Sequence, residues 1–207
     1  MQLLLNPTSP FARVARMAAL EAGLADRLTL VWCDPWSDDP ALLAVHPGGR
    51  VPVLVTDEGV ALAESLLIAQ YLDQRAGGGR LLPPDQLAAT LHRVSVGYGL
   101  MEAAFQTVIA RKHDGHAADA SVMGQRRAAA LTRGLAVLAD EAAWLPEAQA
   151  GWALDAIVVA VALAYLRFRL PEVAVPAALQ AWLDRVAHHP SLLTTDFAAS
   201  EAVTCAR

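Results

Sequence analysis

Cysteine is scarce. Cys33 and Cys205 stand far apart and form no CxxC pair, which excludes a disulfide framework and fits a reducing compartment. Charged residues make up only 18%, and a formal net charge of −5 leaves no basic field, so nucleic acid is not expected as a partner. No apolar run reaches the roughly 20 residues of a membrane-spanning helix. The longest, Ala156 to Leu166, reads as a core helix. Met1-Gln2-Leu3-Leu4-Leu5 has no basic region before it and breaks at Asn6-Pro7, so no signal peptide is expected and the location is read as cytoplasmic. A phosphate-binding glycine motif is missing, since Gly77-Gly78-Gly79 precedes no strand–helix context. His113 and His116 stand near Asp114 and Asp119 without Cys or Glu, which reads as a polar surface loop and not a metal site. Arg126-Arg127 reads as a solvated face, and His188-His189 before Pro190 as a helix C-terminus.

What the chain has in plenty is apolar side chain: 55% hydrophobic over 207 residues, with a mean hydropathy of +0.35. That is enough for a real core, with a surplus suited to a subunit interface. Gln2 to Leu5 reads as a strand. Ala12 to Ala22 carries a helical stripe closed by Gly23, with Pro10 suited to the first turn. Ser9 therefore falls at the N-cap, where its oxygen can accept a first-turn N–H. Leu28 to Cys33 reads as a second strand and Ala41 to Ala44 as one helical turn.

From Gly49 to Leu72 the signals become dense. Val51-Pro52-Val53-Leu54-Val55 is a β run, Asp57-Glu58-Gly59 a turn, and Val60 to Ala63 a second short run. A proline so early in a strand belongs to an edge or a special turn. Were Pro52 cis, Val51 would present its backbone N–H and C=O to a neighbour. Glu64-Ser65 then opens a helix, where unpaired N–H groups and the macrodipole favour a bound carboxylate. A strand edge beside an anion site suits a small extended peptide.

Gly77 to Pro84 reads as a linker, and beyond it only helices are expected: Leu87 to Lys112, Ser121 to Trp144, Trp152 to Leu170, Pro176 to Ala187 and a short tail, Ser191 to Phe197.

Together TSPFARVARMAALEAG, HPGGRVPVL and ESLLIAQYL resemble, in order and spacing, the N-terminal part of cytosolic glutathione transferases. The Ser-Pro-Phe at the first helix is similar to bacterial members; relatives with cysteine there perform thiol–disulfide chemistry, against which Ser9 argues. The resemblance implies an α/β plus all-α fold: a thioredoxin-like, glutathione-binding domain over residues 1–76 and a helical bundle over 86–207. It implies that Ser9 stabilises the glutathione thiolate, with Thr8 or Asn6 as alternative donors. Val51 would pair with the cysteinyl part, Glu64 and Ser65 with the γ-glutamyl end, and Arg50 would stand near the glycyl carboxylate. His46 stands where relatives usually have asparagine. Pro52 and Asp155 would be structural. Relatives carry Ser/Thr-x-x-Asp before the central helix, whereas this chain has Trp152-Ala153-Leu154-Asp155, so half of that reciprocal cap must come from elsewhere. Tyr98, Met101 and Phe105 are by default core residues, one or two of which would join Phe11 in lining a pocket for a small apolar electrophile. Glutathione would be the cosubstrate, with no metal, in a homodimer serving detoxification. The same thiolate could serve a glutathione-dependent isomerase, dehalogenase or peroxide reductase, and the fold also suits a non-catalytic binding or stress protein.

Overall fold

The computed structural model describes residues 1–197; Cys205 lies outside them. The described chain divides into two compact units. One comprises Met1–Gln86, Gly151–Leu154 and the residues from His189 on, and the other Leu87–Ala150 and Asp155–His188.

In the first unit, the leucine run β1 (Gln2–Leu5) pairs in parallel with β2 (Thr29–Trp32), joined by the helix α1 (Pro10–Glu21). β3 (Val53–Val55) and β4 (Ala61–Ala63) form a hairpin added antiparallel to β1, giving the order β2-β1-β3-β4. The hairpin closes with Thr56 N–H donating to Val60 O, and Gly59 takes φ +81°, the left-handed conformation glycine adopts without a Cβ penalty. Leu4, Val53, Cys33 and Leu42 cluster on the side of α2 (Pro40–Val45). Because strand side chains alternate, Leu3 and Leu5 face the other way. α3 (Ser65–Arg75) packs on α1, burying Ile68, Ala69 and Leu72.

The glycine-rich stretch read as a linker is held in place. Gly77, Gly78 and Gly79 all have positive φ (104°, 79° and 81°). The buried Asp73 carboxylate accepts from the N–H groups of Gly79 and Arg80, each at 3.0 Å, and of Leu81 at 2.7 Å. Leu81, fully buried, then takes the N–H of Leu154 on its carbonyl.

Glu21, at the end of α1, takes the N–H that the acid of a reciprocal cap would accept. Its carboxylate is 8% exposed, accepts the Trp152 N–H at 3.2 Å and lies 3.6 Å from His189 Nδ1. His189 also meets Ser191 Oγ at 2.9 Å and stacks on the Trp152 indole at 3.9 Å. The expectation for His188-His189 is thereby corrected: the preceding helix, Ala177–Arg185, ends before them, and His189 is a buried N-cap of the short α8 (Pro190–Thr194), where neighbouring apolar and acidic groups exclude water. Arg13 of α1 donates to Leu192 O and Thr195 Oγ1, each at 3.1 Å, and lies over the Phe197 ring. Burial holds its pKa well below the arginine norm, at about 10.

The second unit holds α4 (Leu87–Asp114), α5 (Val122–Asp140), most of α6 (Leu154–Arg169) and α7 (Ala177–Arg185). Residues Ala156 through Ala162 have no exposed surface, as an all-apolar run requires. Asp155 accepts from the Ala156 N–H at 2.9 Å and from Arg93 Nη1 at 3.3 Å, and burial raises its pKa despite the arginine. The polar loop after α4 is organised by Arg111, which pairs with Asp119 and Glu172.

Candidate functional site

Strand registers gather the motifs. Leu4 of β1 pairs with Val53 of β3, and Val53 pairs with Ala63 of β4. The C-terminal end of β1, the start of β3 and the end of β4 therefore lie at one end of the sheet. The Ser9 turn leaves from the first, Arg50-Val51-Pro52 enters the second and Glu64-Ser65 leaves the third. Adjacent strands stand about 4.8 Å apart, so these three cover roughly 10 Å. An extended tripeptide has about that length.

At the first position Asn6 builds the turn. Its Nδ2 donates to Cys33 O at 3.3 Å, and its Oδ1 accepts from the Thr8 N–H at 3.1 Å and the Thr8 hydroxyl at 3.0 Å. The Ser9 N–H donates to Asn6 O. Ser9 follows with extended backbone (φ −75°, ψ 119°), and its Oγ accepts the Ala12 N–H at 3.2 Å with Pro10 entering the helix. One N–H of the Asn6 amide and the proton of Thr8 are thus engaged. The Ser9 hydroxyl is used as an acceptor, and among the described residues its proton has no acceptor. An oxygen that accepts a hydrogen bond is a better donor for it, and it sits where the α1 macrodipole favours negative charge. Cys33 is no rival as a thiol: buried beside Leu5 O, it is pushed up to about 11, chiefly by burial.

The Val51-Pro52 peptide is cis. Val51 precedes the β3 ladder, which begins at Val53. At the third position Glu64 takes φ 69°, unusual for a residue with a Cβ. It makes no side-chain cap for α3. First-turn N–H groups of α3 are left without that partner, which is the arrangement that holds a carboxylate. The Glu64 Oε1 instead meets Arg50 Nη2 at 2.8 Å. Ser65 is fully buried at the start of α3.

Two features here escaped the sequence. An Arg50–Glu64 pair, fourteen positions apart, has no local signature. The Asn6 turn had one, since Asn commonly folds its side chain onto the backbone two residues on. His46 ends α2 with its ring over Gly48, where a Cβ would lie 2.9 Å from the ring. Of the residues expected to line an electrophile pocket, Phe11, Tyr98 and Phe105 are half-buried and Met101 is fully buried. Among the described residues no group of three or more His, Cys, Asp or Glu is placed to hold a metal ion.

Residues 8–75 match the family model described as the glutathione S-transferase N-terminal domain. An uncharacterised glutathione-transferase-like protein of Escherichia coli K12 is 32% identical over 110 residues, 52% of this chain and 54% of that protein. A probable glutathione S-transferase of Zea mays is 34% identical over 100 residues, 45% and 42% of the two chains. This chain spans about half the length of the curated relatives it matches. A solved structure of a glutathione transferase family member from Pseudomonas fluorescens Pf-5, with bound glutathione, superposes with a TM-score of 0.82. It is 30% identical, over 94% of this chain and 97% of that one.

Proposed function

We propose a catalytic role from one premise, that this chain belongs to the glutathione transferase family. Its fold is that of the family, a thioredoxin-like sheet domain followed by a helical C-terminal part. The protein binds glutathione at the end of the sheet where the three motifs meet and joins its thiolate to small apolar electrophiles. The Ser9 hydroxyl donates to the bound thiolate. The Val51 backbone pairs with the cysteinyl residue, Glu64 receives the γ-glutamyl ammonium, and Ser65 with the α3 N-terminus receives the adjoining carboxylate. Proton loss gives the thiolate, sulfur attacks the electrophilic carbon, and the leaving group departs with the electron pair of the broken bond.

The observation that carries this reading is the Ser9 hydroxyl, fixed by the Ala12 N–H with its own proton uncommitted among the described residues. A free thiol has a pKa of about 8.5, and a donor at a helix N-terminus lowers it. The exposed apolar side chains Leu67, Val122 and Met123 suit a homodimer, which sedimentation velocity tests. No described helix is long and apolar enough to cross a membrane, and we read the location as cytoplasmic. The decisive test is calorimetric titration with glutathione on the native protein and on Glu64→Ala. Binding by the native protein, weakened in the variant, is expected. No heat at millimolar ligand would remove the site assignment.

A further inference from the structure

We propose that Arg50 is a positioning residue that sets the Glu64 carboxylate, in place of the glycyl-carboxylate ligand suggested by its motif position. The proposal rests on the glutathione reading above. The two side chains meet at 2.8 Å although they are 73% and 54% exposed, so burial does not force them together. Glu64 stands in a backbone conformation with φ 69° and makes no cap for its own helix. Its carboxylate would otherwise be free to rotate in solvent. The guanidinium gives it one orientation, and the pair links the entry to β3 with the end of β4, on either side of Val51.

Distance decides between the two roles. An extended tripeptide is about 10 Å long. A guanidinium bonded to the group that takes the γ-glutamyl ammonium is at that end of the ligand, so it cannot also hold the glycyl carboxylate at the other. If the pair persists on binding, Arg50 acts only through Glu64. The loss on removing it is then independent of whether the ligand has a glycine.

Calorimetric titration of native protein, R50Q, E64Q and R50Q/E64Q, with glutathione and with γ-glutamylcysteine, tests this directly. Thermal melts confirm that each variant is folded. R50Q is expected to weaken both ligands by one common factor, about two- to fivefold, the range for fixing an exposed charge pair. In the E64Q background it is expected to change nothing further. A loss confined to glutathione would place Arg50 on the glycyl carboxylate and overturn the proposal. An undiminished loss in the E64Q background, or no loss at all, would overturn it too. Failure of the native protein to bind either peptide would instead refute the glutathione site itself.

Discussion

Replacing Ser9 with alanine removes two hydrogen bonds of different kind, and the structure allows them to be separated. The Ser9 oxygen accepts the Ala12 N–H at 3.2 Å. Losing that cap is expected to cost about 1 kcal/mol of stability. The hydroxyl proton, in the proposed complex, donates to the glutathione thiolate. A hydrogen bond to a charged acceptor contributes about 1.5–3 kcal/mol, and one pH unit corresponds to about 1.36 kcal/mol. The pKa of the bound thiol should therefore rise by about one to two units in Ser9→Ala, while glutathione affinity at low pH, where the thiol is protonated in both proteins, stays nearly unchanged. Below that pKa each unit of rise lowers the thiolate fraction, and with it the rate, about tenfold. Thiolate ultraviolet absorbance followed against pH on saturated complexes measures the shift. Ser9→Gly makes the control, since glycine at an N-cap costs only a few tenths of a kcal/mol. The two variants should differ in melting temperature and agree in thiol pKa. A bound thiol whose pKa is the same in native protein and both variants would refute the role of Ser9.

Other consequences follow from the packing. Glu21→Ala removes a buried acceptor of the Trp152 N–H, and should cost about 1–3 kcal/mol in urea unfolding; Glu21→Gln, which keeps an acceptor, should cost less. Gly124→Ala raises helix propensity by about 1 kcal/mol. Its Cβ, however, would lie 2.3 Å from Ala118 O and 2.5 Å from Asp119 O, both backbone atoms. The variant should therefore be less stable than the native protein by about 1–3 kcal/mol, and a gain in stability would show that the start of α5 can yield. Cys33, pushed up from 9.0 to about 11, should resist alkylation at neutral pH until the protein unfolds, as peptide mapping of the modified thiols would show. Because the folded thiol keeps its proton where the unfolded one ionises, its contribution to stability is fully present below about pH 9. It fades as pH rises toward 11.

Strand and helix types were legible wherever periodicity was strong. Gln2–Leu5, the apolar run of α6 and the hairpin around Gly59 form where the sequence places them. Helix ends moved by one to four residues, with α1 starting at Pro10, α6 at Leu154 and α5 ending at Asp140 instead of Trp144, because terminal turns depend on caps as much as on the stripe. The glycine stretch after α3 reads as a linker from composition, and its anchor, Asp73, is an ordinary-looking acid in a helix. Only its burial against three N–H groups marks it.

The sequence by itself determined the order of elements, the apolar core and the three motifs, since periodicity, turn chemistry and spacing are local properties of the chain. That Ser9, Val51 and Glu64 come to one end of a sheet was decided by strand register, which links residues far apart. The packed tertiary structure likewise decided the Arg50–Glu64 pair and the buried Glu21–His189–Trp152 group, since each joins residues far apart in the chain. The second also depends on which side chains lose water together.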